Sequence, residues 1–411
     1  MEIIKKIGFF INEPRQIDYY SNILRSISNE LLVIIINDFG YNESSEEYKK
    51  IKNFCVENDY SYLSATDLKK KDQKILLVVG TGNTSYHGEK TSISTSLFRI
   101  IKFFYAKTLG IFIERTQMNI LFKRLFNRNL TLGGQNAELI LVNEIPPEAI
   151  LGHKKLLFPR GMDIYYNHPG PMRKKNFDYF FSISKFDDDY IKKNSNKKSF
   201  IIGYPRYSEI NNNKIDTDLE KKIDKNKKTI LWITSDMIVK KLKNKNIYTW
   251  LTHVSNLTKK YNVILRPHPN SLKNDNDLIN QIQKTNLILD NFESRNLKKL
   301  YDFCHLVLAD YGGPIFSALY CKKNILLLNT KVGLKKKFKF DLMVRDDLCN
   351  IDIDLMNTKS LEQIIDNELK LKEIKDKTLL LRQKIFPVHS NIVEFNKIIY
   401  KIFEKENKFI Q

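Results

Sequence analysis

Asn262-Val263-Ile264-Leu265 running into Arg266-Pro267-His268-Pro269-Asn270, and Leu306-Val307-Leu308-Ala309 running into Asp310-Tyr311-Gly312-Gly313-Pro314, decide how this chain folds. Each apolar run is short, uninterrupted and bounded by polar residues, the pattern of a parallel strand buried on both faces. Behind the second motif, residues 315–323 have helix-like character and residues 325–328 form another apolar run. Strand, helix and strand in that order make a compact βαβ unit. Pro314 suits the first helical position, where a missing N–H costs nothing. Gly312 and Gly313 remove side chains just ahead of it, so a ligand can approach the backbone. The first-turn N–H groups, aided by the helix dipole, are then expected to bind an anion. Ligands of open α/β sheets sit beyond the carboxyl ends of the strands, where both motifs fall. Arg266 and His268 are therefore expected to meet the helix start at Gly312-Gly313-Pro314, in a site for a phosphate-bearing ligand.

Outward from this unit, strand-like and helix-like runs alternate along the chain. Residues 5–11, 31–37, 75–79, 139–143, 155–158, 179–183 and 200–202 read as strands, and residues 15–28 and 45–58 as helices. The Gly80-Thr81-Gly82-Asn83 loop is a weak phosphate-loop signal, lacking both the third glycine of a dinucleotide fingerprint and a Gly-Lys-Ser/Thr. Residues 211–228, dense in Asn, Asp and Lys, read as a linker. The pattern restarts at residues 229–233, passes through Thr234-Ser235-Asp236, and is expected to continue as a helix to residue 260. Residues 391–405 read as a terminal helix. The expected fold is α/β, with two doubly wound Rossmann-like domains facing a cleft, the GT-B plan. Residues 1–214 would form the acceptor-side domain and 215–385 the nucleotide-donor domain, with the helix in 386–411 packing back on the first.

The 411 residues are 42% hydrophobic, enough for a sizeable core in both halves. The formal charge of +21 is carried mostly by Lys. Abundant Lys and Asn can reflect nucleotide bias in a genome, but the surplus still favours anionic partners. No recognition-helix or RNP-type pattern accompanies it, so nucleic acid is not an expected partner. Two stretches mix basic and apolar residues, 97–128 and the run Lys335-Lys336-Lys337-Phe338-Lys339-Phe340. The first reads as a core helix followed by a surface helix, the second as a solvated loop. Peripheral contact of either with an acidic membrane is the alternative. Cys55, Cys304, Cys321 and Cys349 form no CxxC pair and no acidic metal-ligand cluster is visible, so a reduced chain without metal or cofactor is expected. The start shows no secretory leader and no run of 18 apolar residues occurs, so the expected location is the cytoplasm; the inner face of the membrane is the alternative if the basic stretches make peripheral contact.

Each candidate residue has a plain alternative. His268 stands between two prolines at a strand end, where rigid placement favours a ligand role over an incidental surface His. Arg266 would suit a phosphate with its planar fork, or would pair with a carboxylate. Asp310 is either a ligand group or a helix cap. Thr234 and Ser235 are hydroxyls at a strand end, which bind donors or cap helices. Tyr311, Gly312, Gly313 and Pro314 complete the expected donor site.

The ordered motifs between residues 155 and 330 resemble those of the CDP-glycerol glycerophosphotransferases, which build teichoic acids and related capsules. Gly203-Tyr204-Pro205-Arg206 is similar to their Gly-Tyr-Pro-Arg signature, and Ser182-Ile183-Ser184 to the Ser-x-Ser before it. Ile230-Leu231-Trp232-Ile233-Thr234 resembles the first strand and loop of their second domain. Arg266-Pro267-His268-Pro269 resembles their second essential histidine motif, and Asp310 to Phe316 their Asp-Tyr-Ser-Ser-x-Ile-Phe. The resemblance implies a GT-B enzyme moving a polyol-phosphate from a CDP-activated donor to an anionic or lipid-linked glycan, with a histidine as base. The family's first-domain His-Gly is replaced: Arg160 stands at the aligned place, and His87 and His168 are the other candidates. Arg160 would stabilise charge, because a guanidinium does not give up its proton. Ser317 stands where an acidic residue is common. The Asp-x-Gly-Gly motif also resembles UDP-N-acetylglucosamine 2-epimerases, which makes a nucleotide-sugar enzyme of the same fold the alternative. A binding subunit without turnover is the third reading.

Overall fold

Aliphatic runs with no polar interruption become the central strands of two parallel sheets. The computed structural model describes residues 6–11, 14, 16–38, 45–65, 67, 75–80, 129–132, 139–142, 154–159, 177–208, 217–235, 238–239, 244–272, 275–291, 295–329, 344–353, 358–371, 375–389 and 392–408. The loop after Gly80, the 97–128 stretch, the 335–340 run and the first-domain candidates His87, Arg160 and His168 lie outside them.

The first half carries β1 (Lys6–Ile11), α1 (Gln16–Leu24), β2 (Leu32–Ile36), α2 (Glu46–Glu57), β3 (Tyr62–Ser64) and β4 (Ile75–Gly80). After β5 (Asn129–Leu132) and β6 (Leu139–Val142) come β7 (Lys154–Phe158), β8 (Tyr179–Ser182), α3 (Lys185–Asn194) and β9 (Lys198–Ile201). Its parallel sheet has the order β3-β2-β1-β4-β7-β8-β9. β6, expected within the parallel series, instead pairs antiparallel with β5, Leu141 opposite Leu130. A four-residue apolar run encodes a buried strand without naming its partner. The short link to β5 permits only a hairpin, since parallel neighbours need a crossover of about a dozen residues.

The second half carries β10 (Thr229–Ile233), then β11 (Ile238–Val239) and β12 (Asn244–Lys245), which pair antiparallel, and α4 (Asn246–Asn256). The long helix expected after Thr234 is thus split: a small hairpin comes first, and a 3-10 turn (Leu257–Lys259) ends it. β13 (Asn262–Arg266), α5 (Asn276–Gln283), β14 (Ile288–Leu289), α6 (Leu297–Phe303), β15 (Leu306–Ala309), α7 (Gly313–Tyr320), β16 (Ile325–Asn329), β17 (Cys349–Asp352), α8 (Thr358–Lys370) and α9 (Asp376–Ile385) follow. This sheet has the order β14-β13-β10-β15-β16-β17, all parallel. Counted within each sheet, both halves begin with the 3-2-1-4-5-6 order of a Rossmann domain. The chain has the GT-B fold.

α10 (Ile392–Lys408) returns to the first half, where Phe395, Ile399 and Ile402 join its core. The Phe395 ring stands 6.0 Å from Phe158 and 5.0 Å from Phe181. The halves are joined at Gly203-Tyr204-Pro205-Arg206. The Tyr204 N–H donates to the Tyr320 hydroxyl at 2.9 Å, and the Tyr207 hydroxyl donates to Ser317 Oγ at 3.4 Å. Arg206 is paired with Asp18 of α1 and lies 4.5 Å over the Tyr19 ring. This segment is a buried joint between domains, and burial pushes the Tyr204 and Tyr207 hydroxyls well above the ordinary phenol range.

At the amino ends of the two central strands of the second sheet, β10 and β15, His305 and Thr229 bond reciprocally. The His305 N–H donates to Thr229 O at 2.8 Å, and the Thr229 N–H donates to His305 Nδ1 at 3.1 Å. The ring must be neutral there to accept at Nδ1. Partial burial holds its pKa below the ordinary 6.5. A depressed histidine stabilises the fold above its unfolded pKa and loses that contribution as pH falls from about 6.5 through the folded value. Urea midpoints at pH 7.5 and pH 5 are expected to differ less in His305→Gln than in the wild type. Equal differences would remove His305 from the pH dependence.

Candidate functional site

The register of the second sheet assembles the site. β10 lies between β13 and β15, and Ile233 is level with both Arg266 and Ala309. Thr234, Pro267 and Asp310 therefore leave the sheet side by side. β10 is also the strand at which the order reverses, the place where open α/β sheets hold ligands.

Asp310 braces these loops together. Asp310 is 1% exposed. Oδ1 accepts the Ser235 N–H at 2.8 Å and the Tyr311 N–H at 2.7 Å, and Oδ2 accepts the Ser235 hydroxyl at 3.0 Å. The Thr234 N–H donates to Arg266 O at 3.3 Å, which ties in the third loop. Asp310 and Ser235, both expected in the donor site, are engaged with each other in this structure. Tyr311, expected among the donor contacts, is buried at 1% exposure. Thr234 differs, because its Oγ1 is buried and has no hydrogen-bond partner among the described residues. A buried hydroxyl at the switch point is available to a ligand oxygen.

Arg266 turns inward. Its Nη1 pairs with Asp290 Oδ2 at 3.0 Å, while Arg295 Nε donates to Asp290 Oδ1 at 3.1 Å. Arg295 Nη2 reaches on to Asp218 at 2.9 Å. One carboxylate thus holds two buried guanidinium groups, and the Asp290 N–H donates to Leu265 O at 2.9 Å. Of the two roles expected of Arg266, the structure shows the carboxylate pair, a brace under the loop that carries His268. A desolvated guanidinium takes the nearest buried carboxylate because leaving it alone costs several kcal/mol.

His268 is exposed, whereas Pro267 before it is buried. The Ser271 N–H donates to His268 O at 2.8 Å, starting a turn of helix (Pro269–Leu272) that fixes the backbone. Among the residues read from sequence, His268 is thus an imidazole exposed at the switch point.

The start of α7 supplies fewer donors than expected. Pro314 has no N–H, and the Ile315 N–H turns back to Gly312 O at 3.1 Å. Of its first three residues, Gly313 retains a donor for an anion. Gly312 caps the helix at φ 81° and ψ −153°, a conformation essentially confined to glycine. A Cβ there would meet nothing within 4 Å, so the position is open and the constraint lies in the backbone alone. Gly312→Ala is expected to cost about 1–3 kcal/mol in urea denaturation. A change below about 0.5 kcal/mol would mean the cap relaxes readily.

Sequence reasoning missed Asp290, Arg295 and Arg345. Asp290 had a signal, since it ends the apolar run Leu287-Ile288-Leu289 as Asp310 ends its own. Arg345 had none nearby, yet its guanidinium lies 4.1 Å over the Tyr311 ring. The thiols take no part: burial pushes Cys55 and Cys304 up to about 12, leaving them protonated at neutral pH.

No protein-family model matches the sequence, and no curated protein sequence matches it. Solved structures do match in fold. The wall teichoic acid polymerase TagF is 13% identical with a TM-score of 0.50, over 100% of this chain and 91% of that one. A UDP-N-acetylglucosamine 2-epimerase, described as putative, from Listeria monocytogenes is 11% identical with a TM-score of 0.54, over 98% and 96%. The UDP-GlcNAc 2-epimerase of Methanocaldococcus jannaschii, in complex with UDP-GlcNAc and UDP, is 13% identical with a TM-score of 0.53, over 96% and 99%.

Proposed function

We propose that this chain is a transferase that uses a nucleotide-activated donor, a CDP-polyol, and passes the polyol-phosphate to an anionic or lipid-linked surface glycan. The observation that carries the reading is the level exit of the Thr234, His268 and Gly312 loops at the switch point of the second sheet. The fold shared with a wall teichoic acid polymerase supports it. In the reaction an acceptor hydroxyl attacks the donor's β-phosphorus in line. The new P–O bond forms as the bond to the bridging oxygen breaks, and CMP departs with that oxygen. His268 takes the hydroxyl proton. The Gly313 N–H, the α7 dipole and the Thr234 hydroxyl stabilise charge on the phosphates.

A second reading keeps the nucleotide site and changes the chemistry to that of a nucleotide-sugar enzyme. It is favoured by the equal likeness to an epimerase structure holding UDP-GlcNAc and UDP. Incubation with CDP-glycerol, CDP-ribitol and a UDP-sugar panel, with a teichoic-acid-type acceptor, separates the two by the nucleotide released. CMP upholds the first reading. UDP without CMP upholds the second, as does epimerised UDP-sugar, and no turnover of any donor overturns both.

A further inference from the structure

Arg345 lies in a helical turn between β16 and β17 and is 4% exposed. Its Nη2 donates to the backbone oxygen of Asp310, its Nη1 donates to Asn329 Oδ1, and its guanidinium covers the Tyr311 ring at 4.1 Å. A closed ring of hydrogen bonds holds it from behind. Asn329 Nδ2 donates to Asn350 Oδ1 at 3.1 Å, and Asn350 Nδ2 donates back to Arg345 O at 3.0 Å. Asn329 is itself pinned, since Trp250 Nε1 donates to its carbonyl at 3.2 Å. The guanidinium is therefore a fixed cation built between the ends of β15 and β16.

Its placement resolves an electrostatic conflict. The carboxylate of Asp310 is buried two residues ahead of the Gly312 cap. An anionic ligand at the start of α7 would meet that negative charge across a weakly screening interior. Arg345 brings a permanent positive charge to the same residue, because a guanidinium stays protonated. A guanidinium held on the Asp310 backbone oxygen would offset the carboxylate charge of that residue and preserve the attraction of the helix start.

We propose that Arg345 is a positioning residue that shapes the Asp310–Tyr311 loop and offsets the Asp310 charge, so that the helix start accepts a nucleotide diphosphate. For its ligand the proposal rests on the nucleotide-donor reading; for the loop it rests on geometry alone. The test uses the full chain, with Arg345→Gln, Arg345→Lys and the double variant Arg345→Gln/Asp310→Asn. Calorimetry with cytidine, CMP and CDP, and with the uracil series, reads the charge effect. Amide hydrogen exchange at Ser235 and Tyr311, whose N–H groups donate to Asp310, reads the loop without ligand.

In Arg345→Gln the diphosphate affinity is expected to fall at least tenfold, with nucleoside affinity unchanged. Arg345→Lys should recover most of that loss, and the double variant part of it, since the uncompensated carboxylate is gone. Both amides should exchange at least tenfold faster in Arg345→Gln. Unchanged diphosphate affinity, or equal losses for nucleoside and diphosphate, overturns the charge role. If the wild type binds no nucleotide, the donor reading has failed, and exchange still decides the positioning: faster exchange upholds it and unchanged exchange overturns it. Should Arg345→Gln not fold, Arg345→Lys carries the test. It keeps the charge and loses the planar fork, so faster exchange with near-normal diphosphate affinity is expected, and unchanged exchange overturns the positioning.

Discussion

Asp290→Ala is expected to lower the folding free energy by about 3–5 kcal/mol, the range for removing one partner of a buried ion pair. Asp290 is 2% exposed, as is Arg295, and Arg266 is 9% exposed. Removing the carboxylate leaves two desolvated guanidinium groups side by side. Asp218 rescues them poorly, because its side chain is 58% exposed and an ion pair at the surface contributes little. A domain stabilised by about 5–15 kcal/mol would lose a large share of its margin. Asp290→Asn keeps the shape and an acceptor oxygen, so its loss should be smaller. Arg295→Met in the Asp290→Ala background removes one stranded cation, so the double variant should lose less than the sum of its parts. Urea denaturation followed by circular dichroism measures all of these. A loss below about 1 kcal/mol for Asp290→Ala would mean that water reaches the cluster.

The βαβ unit was legible because its strands are uninterrupted aliphatic runs, and a run such as Leu306 to Ala309 has few ways to be buried other than in the middle of a sheet. The loops at the strand ends were legible for the same reason, since a strand end fixes where the next residue emerges. Side-chain roles were less legible. Asp310 and Ser235 carry ligand-type groups, but they lie 75 positions apart, and only the parallel register of β10 and β15 brings them to 3.0 Å. Ser182 and Ser184 are structural as well. Ser184 caps α3 in a reciprocal box with Asp187, and Ser182 pairs with Ser199 at 2.7 Å. β14 was missed because its two residues give no period to detect. Arg345 was missed because a lone arginine between the apolar Leu342-Met343-Val344 and two aspartates carries no motif until the fold buries it.

His268→Ala is expected to reduce transfer about 10²–10⁴-fold, the usual contribution of a general base, while leaving the fold unchanged. The side chain is exposed, so its removal opens no core cavity. Its backbone does not depend on the imidazole. Pro267 is buried, the Ser271 N–H holds the His268 carbonyl, and Arg266 anchors the loop through Asp290. An exposed substitution of this kind shifts stability by no more than about 0.5 kcal/mol. Loss of activity with an unchanged urea midpoint would therefore report on chemistry and not on folding. Affinity for CDP should change little, because the proposed donor contacts come from Thr234 and Gly313. His268→Gln is the sharper control: it keeps a polar side chain of similar reach but cannot take a proton, so it should be as inactive as the alanine variant. The rate of CMP release from CDP-glycerol in the presence of acceptor reads the effect. Near-native release by either variant would leave His268 a surface residue and shift the search for the base to the first domain.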